Sequence, residues 1–376
     1  MKVAIIHDQL QEFGGAERVL VSLKKIFPET DIYTSFYNPQ TLGIHRDNFE
    51  GWNIKTSWAE KVPFLKRLYS PLRFITPLIW ESLDLKDYDL VISSSGSYMC
   101  KGIITRPETL HICYLHHPPR YLYYYETAVE WQKYWPIKIY GNLINHNLRL
   151  WDYLSSQRVD YFIANSQETK KRVEKFYRRD AQVIYPPVEI PQELDLRSSI
   201  LDVRDYYLTV SRLARAKHVD ILIEAANKHG FKLKIVGSGR DEKYLRSIAG
   251  PNVELLGAVD DKEKADLYKN SKAFLFSAVD EEFGIAPIEA MGYGLPVIAY
   301  SDGGLKETVN EGKNGYLFNE FNKDSLIKKI KELENLSSEE YQKMSHAARQ
   351  SAEQYSEEKF KEKILNFVNH ARTSRS

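Results

Sequence analysis

The sequence predicts an α/β protein made of two doubly wound, Rossmann-like domains, each with a parallel sheet. Short apolar runs that suit fully buried parallel strands alternate with helical segments along almost all of the 376 residues. A chain of this length favours two domains. A proline-rich stretch from Val183 to Pro191 interrupts the alternation and is the best linker candidate. We therefore place a first domain at residues 1–188 and a second domain at residues 189–355.

The strands are predicted from the apolar runs. In the first domain we predict strands at Val3–His7, Asp31–Phe36, Asp89–Ser94, Thr109–Leu115 and Tyr161–Ala164, and a last strand that starts at Val183 and is followed by proline-rich chain. In the second domain we predict them at Tyr206–Val210, Lys232–Val236, Val253–Leu256, Ala273–Ser277, Pro296–Tyr300 and Gly315–Phe318. A helical stretch from Glu130 to Arg158 should be kinked or broken near Pro136 and Gly141. A last helix is predicted at residues 356–371.

Composition excludes several classes of function. The formal net charge is +1, so no strong field attracts nucleic acid, and we expect no nucleic-acid partner. Cys100 and Cys113 are the only cysteines. They are too few for a disulfide framework or a cysteine metal site, and a reducing cytoplasm suits them. Because no apolar stretch has the length of a signal peptide or a membrane span, we expect a cytoplasmic protein, soluble or peripheral to a membrane.

Carboxylates at a predicted sheet edge form the central motif. A strand ending at Ser277 leads into an acidic loop, and a short helix follows. Ligands of open α/β sheets bind at the carboxyl ends of strands, so this loop is a candidate site. Its candidate residues are Glu281, Phe283, Gly284, Ile285 and Glu289. The alternative is that both glutamates are only solvated, which is the usual state of Glu.

A basic turn follows the first strand of the second domain. Arg212 and Lys217 lie in this turn, where a planar guanidinium can bind an anion through two hydrogen bonds and a compact ammonium adds a point charge. Each charge-assisted hydrogen bond contributes about 1.5–3 kcal/mol, more than the roughly 0.3–1 kcal/mol from a helix N-terminus. The alternative is a solvated basic turn. After a later strand, Gly303 and Gly304 permit close backbone approach at the same edge.

The first domain carries further candidates. Gly14 and Gly15 precede a helix, where bare backbone amides can bind an anion, although on two glycines alone a plain turn is favoured. His116 ends a buried strand, before a Pro-Pro turn that leads to Arg120. His117 follows it directly, so the residues alone leave open which of the two histidines faces a ligand. A lone histidine is more often structural than functional.

Two other polar motifs have structural interpretations. Asn165 and Glu168 match a capping box for the next helix, and Ser166 lies between them. Capping alone explains this motif as well as ligand binding does. Asp87-Tyr88-Asp89 matches the Asp-x-Asp pattern of some metal-dependent transferases. Since it starts a strand, away from the ligand edge, we interpret it as a turn and predict no catalytic metal.

These motifs together resemble those of the retaining family-four, or group 1, glycosyltransferases. The resemblance rests on Glu281 and Glu289, separated by seven residues within Glu-Glu-Phe-Gly and Glu-Ala-Met, and on Arg-Leu-x-x-x-Lys from Arg212 to Lys217. It also rests on His-x-Pro-x-Arg-Tyr from His116, which is similar to bacterial mannosyltransferase-like members of polysaccharide or O-antigen synthesis. The resemblance implies a GT-B fold, in which two Rossmann-like domains face a cleft and the last helix packs back on the first domain.

The resemblance also implies roles for the candidate residues. Arg212 and Lys217 would hold the donor diphosphate, Glu281 the sugar hydroxyls, and Glu289 the ribose hydroxyls. His116 would complete the sugar pocket. The other positions that match donor-binding positions of the family are Gly14, Gly15, Arg120, Ser166, Phe283, Gly284 and Ile285.

The implied reaction is transfer of a hexose from a nucleotide-diphosphate sugar, with retention of configuration and without metal or other cofactor. The acceptor hydroxyl would attack on the face from which the diphosphate leaves. The segment from His116 to Tyr121 favours GDP-mannose as donor, with UDP-glucose or a similar sugar next. The expected acceptor is a growing, lipid-linked, cell-surface saccharide. The alternatives are an inverting GT-B transferase, a sugar-nucleotide epimerase, or a non-catalytic nucleotide-sugar-binding partner.

The segment from Lys61 to Ile75 mixes basic and large apolar residues, with no acidic ones. Its prolines prevent one long helix, so we expect a short helix and a turn. On an anionic membrane, each basic residue contributes about 1 kcal/mol. Phe64, Leu65 and Leu68 would then enter the interface, and Lys66 with Arg67 would bind the lipid charge. The alternative, that the apolar residues are core and the lysines their solvated face, has equal support from periodicity.

Overall fold

The computed structural model describes residues 1–127, 134–192 and 204–375. The contacts between residues divide them into two compact units. The first unit contains residues 1–125, 134–187 and 357–375. The second unit contains residues 188–192 and 204–356, together with Glu126 and Thr127. Each unit is built around its own parallel sheet.

The sheet of the first unit has seven strands. They are β1 Val3–His7, β2 Asp31–Thr34, β3 Ile54–Thr56, β4 Leu90–Ser95, β5 Leu110–Leu115, β6 Tyr161–Ala164 and β7 Ala181–Val183. Their order is β3-β2-β1-β4-β5-β6-β7, and every neighbouring pair is parallel. The central strands β4 and β5 are buried along their whole length, as expected for parallel strands covered on both faces.

Helices cover this sheet on both faces. They are α1 Gly15–Ile26, α2 Leu65–Leu68, α3 Thr76–Glu81, α4 Trp135–Ser156 and α5 Gln167–Tyr177. Helix α1 illustrates why they form: Val19, Leu20 and Leu23 recur at helical spacing and all three are buried in the core. The short connection from β1 into α1 brings the helix N-terminus next to the carboxyl end of the strand.

The sheet of the second unit has six strands. They are β8 Tyr206–Val210, β9 Lys232–Val236, β10 Val253–Gly257, β11 Ser271–Phe276, β12 Val297–Tyr300 and β13 Gly315–Phe318. Their order is β10-β9-β8-β11-β12-β13, again with parallel neighbours. The helices are α6 Val219–His229, α7 Glu242–Ile248, α8 Asp261–Asn270, α9 Ile285–Gly292, α10 Leu305–Thr308, α11 Lys323–Glu334 and α12 Ser338–Glu353. The strand order changes direction between β8 and β11, where ligands of such sheets bind.

The last helix, α13 Glu357–Thr373, belongs to the first unit. Phe360, Ile364 and Phe367 are buried in the same core as helix α1. At its start, the Ser22 hydroxyl of α1 donates to Glu357 Oε1 at 3.1 Å. The C-terminal chain thus completes the core of the first unit by apolar burial and is fixed in register by a hydrogen bond.

The α/β class and the parallel sheets are confirmed, and several strands agree with the prediction at both ends, including β1, β6, β8 and β9. Two local predictions are wrong. Helix α4 is unbroken through Gly141, because Pro136 lies in its first turn, where the missing N–H costs nothing. The strand predicted to start at Val183 instead ends there and spans Ala181–Val183, just before the prolines. The predicted helix start at Glu130 lies outside the described residues.

No helix in the described part of the chain combines the length and apolar character that a membrane span requires.

Candidate active site

In the second unit, the loops after the neighbouring strands β8 and β11 meet at the carboxyl edge of the sheet. The first loop carries Arg212 and Lys217, and the second carries Glu281. Lys217 Nζ lies 2.5 Å from Glu281 Oε2, and the two side chains are 24% and 15% exposed. The predicted basic turn and acidic loop therefore form one ion pair, which remains accessible to solvent and so to a ligand. Arg212 is exposed in the same loop.

Hydrogen bonds fix the position of this ion pair. The Ser277 hydroxyl donates to the carbonyl oxygens of Lys217 at 3.0 Å and His218 at 2.8 Å. The Val279 amide donates to the Ala216 carbonyl at 3.1 Å. The Lys217 ammonium also lies 5.4 Å from the ring centroid of Phe276, a cation–π distance. Both loops are therefore joined through their backbones, so that the charged side chains are preorganised.

Glycines allow these loops to pack against further turns. A Cβ atom on Gly303, which has φ of +51°, would lie 2.0 Å from the Glu281 carbonyl oxygen, closer than any side chain tolerates. The neighbouring Gly304 amide donates to that same oxygen at 2.8 Å. The loop after β8 is approached in the same way by Gly237, which follows β9. Gly237 has φ of +131°, and a Cβ atom on it would lie 1.9 Å from the Ser211 carbonyl oxygen. Both turns support the ion pair by close backbone packing.

The remaining acidic candidate, Glu289, is buried on helix α9. It is 5% exposed, and its Oε2 accepts a hydrogen bond from the Tyr268 hydroxyl at 3.2 Å. Tyr268 stacks on Tyr293 at 5.1 Å, and burial together with the nearby Glu189 and Glu289 carboxylates raises the pKa of Tyr293. The alternative of two solvated glutamates is therefore wrong, since a carboxylate is held inside the unit only with hydrogen-bond partners.

The other candidates in this loop form the start of helix α9. Gly284 is its N-cap and Ile285 its first residue. Phe283 is buried and packs edge-on against Tyr355 at 5.2 Å. These three residues set the path of the chain from Glu281 to Glu289.

In the first unit, Gly14 and Gly15 lie at the N-terminus of helix α1, as predicted. The Gly14 amide is not bare, however. It donates to Glu17 Oε2 at 2.8 Å, so a carboxylate of the protein already occupies this amide. The prediction of two bare amides is therefore wrong at Gly14, because a Glu in the first turn reaches back to the N-cap. Gly15 is exposed.

His116 directly follows β5 and is 7% exposed. Its Nε2 lies 2.8 Å from the Ser94 hydroxyl at the end of the neighbouring β4. His117 has a different environment: its Nδ1 lies 2.9 Å from the Pro118 carbonyl oxygen. The two histidines thus differ in these contacts: His116 bonds a side chain of the adjacent strand, whereas His117 bonds the backbone carbonyl of Pro118.

Sequence reasoning missed three polar residues next to His116. His7 Nδ1 lies 3.1 Å from the same Ser94 hydroxyl, and His7 Nε2 lies 3.3 Å from Glu17 Oε1. His7, Ser94 and Glu17 are all buried. The sequence signal for His7 was a histidine at the end of an apolar strand, the same signal that made His116 a candidate. Because His7 sits in the first β-strand, its neighbours become visible only when the strand order is known.

Asp8 is another buried carboxylate at this edge. It accepts three backbone hydrogen bonds, from the amides of Gly96 at 2.9 Å and of Tyr98 and Cys100 at 2.8 Å. Asp8 therefore fixes the loop that leaves β4 directly after Ser94 and Ser95. Its role is explained by loop geometry alone.

Ser166, rather than Asn165, caps helix α5. The Ser166 hydroxyl accepts the Thr169 amide at 3.0 Å, whereas the Asn165 amide extends the sheet by donating to Leu115. The predicted capping box is therefore wrong by one residue, and Glu168 instead accepts from Arg172 at 3.1 Å. Arg120 lies half-buried in a short 3₁₀ helix, Arg120–Leu122.

Burial controls the titration of several groups in the first unit. It lowers the pKa of His111 to about 3 and raises the pKa of the Cys113 thiol to about 12. Burial also raises the pKa of the Cys100 thiol well above its usual value. These three groups are therefore neutral at physiological pH and belong to the core.

The Asp87-Tyr88-Asp89 motif lies just before β4, where the Asp89 carboxylate accepts the Lys2 amide at 2.7 Å. In the three ranges that the structure describes, we found no group of three or more His, Cys, Asp or Glu side chains that could hold a metal ion.

Two family profiles match the chain. The family described as Glycosyl transferases group 1 matches residues 194–351, and Glycosyltransferase Family 4 matches residues 13–191. Together with the two parallel sheets, these matches define a glycosyltransferase with the GT-B fold. The chain belongs to the group 1 glycosyltransferases.

Among similar curated proteins is alpha-1,3/1,6-mannosyltransferase alg2 of Schizosaccharomyces pombe, 25% identical over 374 residues, or 84% of this chain and 70% of that protein. ALG2 of Dictyostelium discoideum is 25% identical, covering 86% of this chain and 87% of that protein. The UDP-N-acetylglucosamine–peptide N-acetylglucosaminyltransferase GtfA subunit of Streptococcus pneumoniae is 26% identical over 67% of this chain, which spans 50% of that subunit.

Solved structures agree with the fold. Anabaena Alr3699/HepE, solved with UDP and glucose, has a TM-score of 0.71 and 19% identity, covering 98% of this chain and all of its own. The lipopolysaccharide outer core galactosyltransferase WaaB has a TM-score of 0.66 and 19% identity, with both chains fully covered.

Proposed function

We propose that this glycosyltransferase moves a hexose, with retention of configuration, from a nucleotide-diphosphate sugar to a growing, lipid-linked cell-surface saccharide. The observation that carries the proposal is the Lys217–Glu281 ion pair, 2.5 Å long, at the carboxyl edge of the second sheet. It brings together a cation suited to a diphosphate and a carboxylate suited to sugar hydroxyls. The family resemblance assigns the same two roles to these positions.

Lys217 and Arg212 are proposed to bind the diphosphate. Negative charge grows on the leaving diphosphate as the glycosidic bond breaks, so fixed cations stabilise the transition state more than the ground state. Lys217 is held by the Ser277 hydroxyl bond to its own carbonyl, and this preorganisation avoids a reorganisation cost during the reaction. Arg212, exposed in the same loop, adds a guanidinium that can bind two phosphate oxygens.

Glu281 is proposed to bind hydroxyls of the donor sugar. Its Oε2 is engaged by Lys217, so we assign the sugar hydroxyls to Oε1. In the front-face path, the acceptor hydroxyl attacks on the side from which the diphosphate departs, and a phosphate oxygen takes the proton. This path uses no protein nucleophile, no metal and no other cofactor.

Glu289 is proposed to bind the ribose hydroxyls, with its carboxylate oriented by the Tyr268 hydroxyl. His116 is proposed to contact the donor sugar. The resemblance extends donor binding to Gly14, Gly15, Arg120, Ser166, Phe283, Gly284 and Ile285. Within this set, Gly284 and Ile285 have support from their position at the start of the helix that carries Glu289.

The donor is proposed to be GDP-mannose. The named activity of the Alg2 relatives, alpha-1,3/1,6-mannosyl transfer, supports mannose. The neighbour HepE, solved with UDP-glucose, keeps UDP-glucose as the next candidate. A second function, transfer of N-acetylglucosamine from its UDP form to a peptide, has support from the named activity of the GtfA subunit.

Membrane contact is proposed for a surface of the first unit that we call the aromatic surface, formed by Phe64, Leu68, Phe74, Trp135, Ile139 and Leu143. All six side chains are exposed, Phe64 by 72% and Trp135 by 74%. Trp135, Ile139 and Leu143 recur every four residues along α4. The Tyr140 hydroxyl of this helix donates to the Pro71 carbonyl at 2.5 Å, which joins α4 to the segment that carries Phe64.

Basic side chains accompany the aromatic surface. Lys61, Arg67 and Lys138 are exposed, which suits an anionic lipid surface. Two members of the predicted patch are corrected. Leu65 is buried in the core, and Lys66 binds Glu60 at 2.6 Å and the Tyr37 carbonyl at 2.5 Å. Both residues hold the segment in place, so the aromatic surface excludes them.

A donor panel tests the proposed reaction. The purified protein is incubated separately with GDP-mannose, UDP-glucose and UDP-N-acetylglucosamine, and release of the nucleoside diphosphate is followed. We expect GDP-mannose to give the fastest release. A ligand at about 100 times its dissociation constant should also add about 2.7 kcal/mol of stability in a thermal-shift assay. Release from UDP-N-acetylglucosamine alone would instead favour the second function.

The same assay tests retention and metal independence. Proton NMR of the released or transferred sugar should show the anomeric configuration of the donor. Activity should be unchanged in excess EDTA, since Arg212 and Lys217 supply the positive charge. An inverted product would contradict the front-face path. A loss of activity that manganese or magnesium specifically restores would contradict metal independence.

A further inference from the structure

A continuous line of buried polar groups leads from the start of helix α1 to His116. The Gly14 amide donates to Glu17 Oε2 at 2.8 Å, and Glu17 Oε1 lies 3.3 Å from His7 Nε2. His7 Nδ1 lies 3.1 Å from the Ser94 hydroxyl, which lies 2.8 Å from His116 Nε2. We call this line the histidine relay. No step of the proposed reaction uses its first three side chains.

The backbone fixes the spacing of the histidine relay. His7 ends β1 and is directly opposite Ser94 of β4 in the parallel register. The His116 amide donates to the Ser95 carbonyl at 2.8 Å and so continues the pairing of β5 with β4. The relay side chains are nearly inaccessible: Glu17 and His116 are each 7% exposed, His7 1% and Ser94 0%. In such surroundings each hydrogen bond is costly to lose.

The Glu17 carboxylate at one end of the histidine relay determines which ring nitrogen of each histidine carries a proton. An ionised Glu17 can only accept, so His7 Nε2 must carry the proton that it donates. Neutral His7 then has an unprotonated Nδ1, which accepts from the Ser94 hydroxyl. The Ser94 oxygen in turn accepts from His116, which places a proton on His116 Nε2.

We propose that Glu17, His7 and Ser94 are positioning residues that hold His116 in its Nε2–H tautomer, so that His116 Nδ1 accepts a hydrogen bond from a hydroxyl of the donor sugar. This inference rests on the proposed contact of His116 with that sugar. It adds the direction of the hydrogen bond, and it assigns a role in the reaction to three residues that do not touch the substrate. In functional histidines, the group that is hydrogen-bonded to the ring nitrogen away from the ligand commonly fixes the tautomer in this way.

A single isosteric change should reverse the relay. In Glu17→Gln, the amide oxygen must still accept from the Gly14 N–H, so the amide nitrogen faces His7 Nε2 and donates to it. His7 then carries its proton on Nδ1 and donates to Ser94, and the Ser94 hydroxyl donates to His116 Nε2. The proton of His116 moves to Nδ1, which becomes a donor where the proposal requires an acceptor.

A matched control lies next to Ser94 in the same strand. The Ser93 hydroxyl lies 2.9 Å from His111 Nε2, and both residues are fully buried. Ser93→Ala therefore removes the same kind of buried serine–histidine hydrogen bond. Since Ser93 takes no part in the histidine relay, this variant reports the purely structural cost.

The experiment compares wild type, Glu17→Gln, Ser94→Ala and Ser93→Ala, with 15N-labelled histidine. Nitrogen chemical shifts should show His116 protonated at Nε2 in wild type and Ser93→Ala, and at Nδ1 in Glu17→Gln. With GDP-mannose, kcat should fall about 10-fold to 100-fold in Glu17→Gln and Ser94→Ala. KM and the affinity for GDP should stay within about twofold, because the diphosphate site is unchanged. Ser93→Ala should retain wild-type kcat.

The outcomes separate this inference from the proposed function. If His116→Asn lowers kcat while Glu17→Gln and Ser94→Ala match Ser93→Ala, the histidine relay has only a structural role and the inference is overturned. If His116→Asn keeps wild-type kcat, the proposed sugar contact fails, and the inference fails with it. The nitrogen chemical shifts can be measured without any nucleotide sugar. An unprotonated His116 Nε2 in wild type would therefore overturn the tautomer assignment even if GDP-mannose is not the substrate.

Discussion

The carboxyl edges of the two sheets carry polar residues of opposite character. In the second unit, Lys217 and Glu281 form an ion pair and keep 24% and 15% of their side-chain surface exposed. In the first unit, His7 and Ser94 are at most 1% exposed and bond neighbouring side chains. Solvent still reaches the ion pair at one edge, whereas the other edge holds a buried line of hydrogen-bonded side chains.

The difference in exposure between the two edges follows from the energetics of the groups that each edge carries. A diphosphate bound as proposed would displace or join the Lys217–Glu281 ion pair, and this rearrangement costs less where solvent still reaches the charges and screens them. A tautomer, by contrast, is best fixed where water cannot offer alternative partners. We infer that the second unit supplies binding charge, and that the first unit supplies orientation.

The largest effect should come from Glu281→Ala. It removes the proposed sugar-hydroxyl acceptor and leaves Lys217 without its 2.5 Å partner, so transfer should be abolished while GDP binding largely survives. Transfer assays and isothermal titration with GDP check this. Glu254→Ala is the control, since Glu254 pairs with Lys234 at 3.8 Å on the edge strand β10. A collapse of GDP affinity in Glu281→Ala would assign Glu281 to the nucleotide instead.

Arg212→Ala should lower turnover by about 10²–10³, the cost of losing one preorganised donor to a developing charge. GDP affinity should fall as well, because the guanidinium is proposed to contact the diphosphate in both the ground state and the transition state. Arg215→Ala is the matched control, since Arg215 is an exposed arginine of the same loop. Near-normal turnover of Arg212→Ala would contradict the diphosphate role. An equal loss in both variants would indicate a general effect of charge.

The aromatic surface should bind anionic vesicles at low salt. We expect wild type to float with liposomes that contain phosphatidylserine, and Lys61→Glu with Arg67→Glu to release it, because each basic residue contributes about 1 kcal/mol. Charge reversal at two lysines of the second unit, the exposed Lys228 and the half-buried Lys323, is the control. Wild type that stays in the soluble fraction would contradict membrane contact.

The smallest effect concerns stability. Burial lowers the pKa of His111 to about 3, below its ordinary value near 6.5, so the unfolded state binds the proton more readily. The stabilising contribution is complete above pH 6.5 and is lost as pH falls towards 3. Between pH 7.5 and pH 5 it should decrease by about 2 kcal/mol. Urea unfolding of His111→Gln should be less acid-sensitive than that of wild type, whereas the exposed His146→Gln should match wild type.

The second unit was more predictable from sequence than the first. Arg212, Lys217 and Glu281 lie directly after strands, so knowing that the sheet is parallel was enough to expect them at one edge. The pairing of Lys217 with Glu281 required the strand order, since β8 and β11 are distant in sequence and adjacent in the sheet.

The histidine relay could not be derived from local pattern. His7 and Ser94 are 87 residues apart, and only the pairing of β1 with β4 places them opposite each other. The role of Glu17 was not predicted for a different reason: a Glu in the first turn of a helix is ordinarily explained by its favourable interaction with the helix dipole. Likewise, Leu65 and Lys66 resembled membrane residues until tertiary contacts with the core and with Glu60 assigned them to the fold.

The division between binding charge and orientation is tested most directly by titrating GDP into wild type, Arg212→Ala and His116→Asn. We expect Arg212→Ala to weaken GDP binding strongly, by about tenfold or more for a lost charge-assisted hydrogen bond of about 1.5–3 kcal/mol. We expect His116→Asn to bind GDP as wild type does but to turn over GDP-mannose more slowly. Equal weakening of GDP binding in both variants, or normal GDP affinity in Arg212→Ala, would contradict this division.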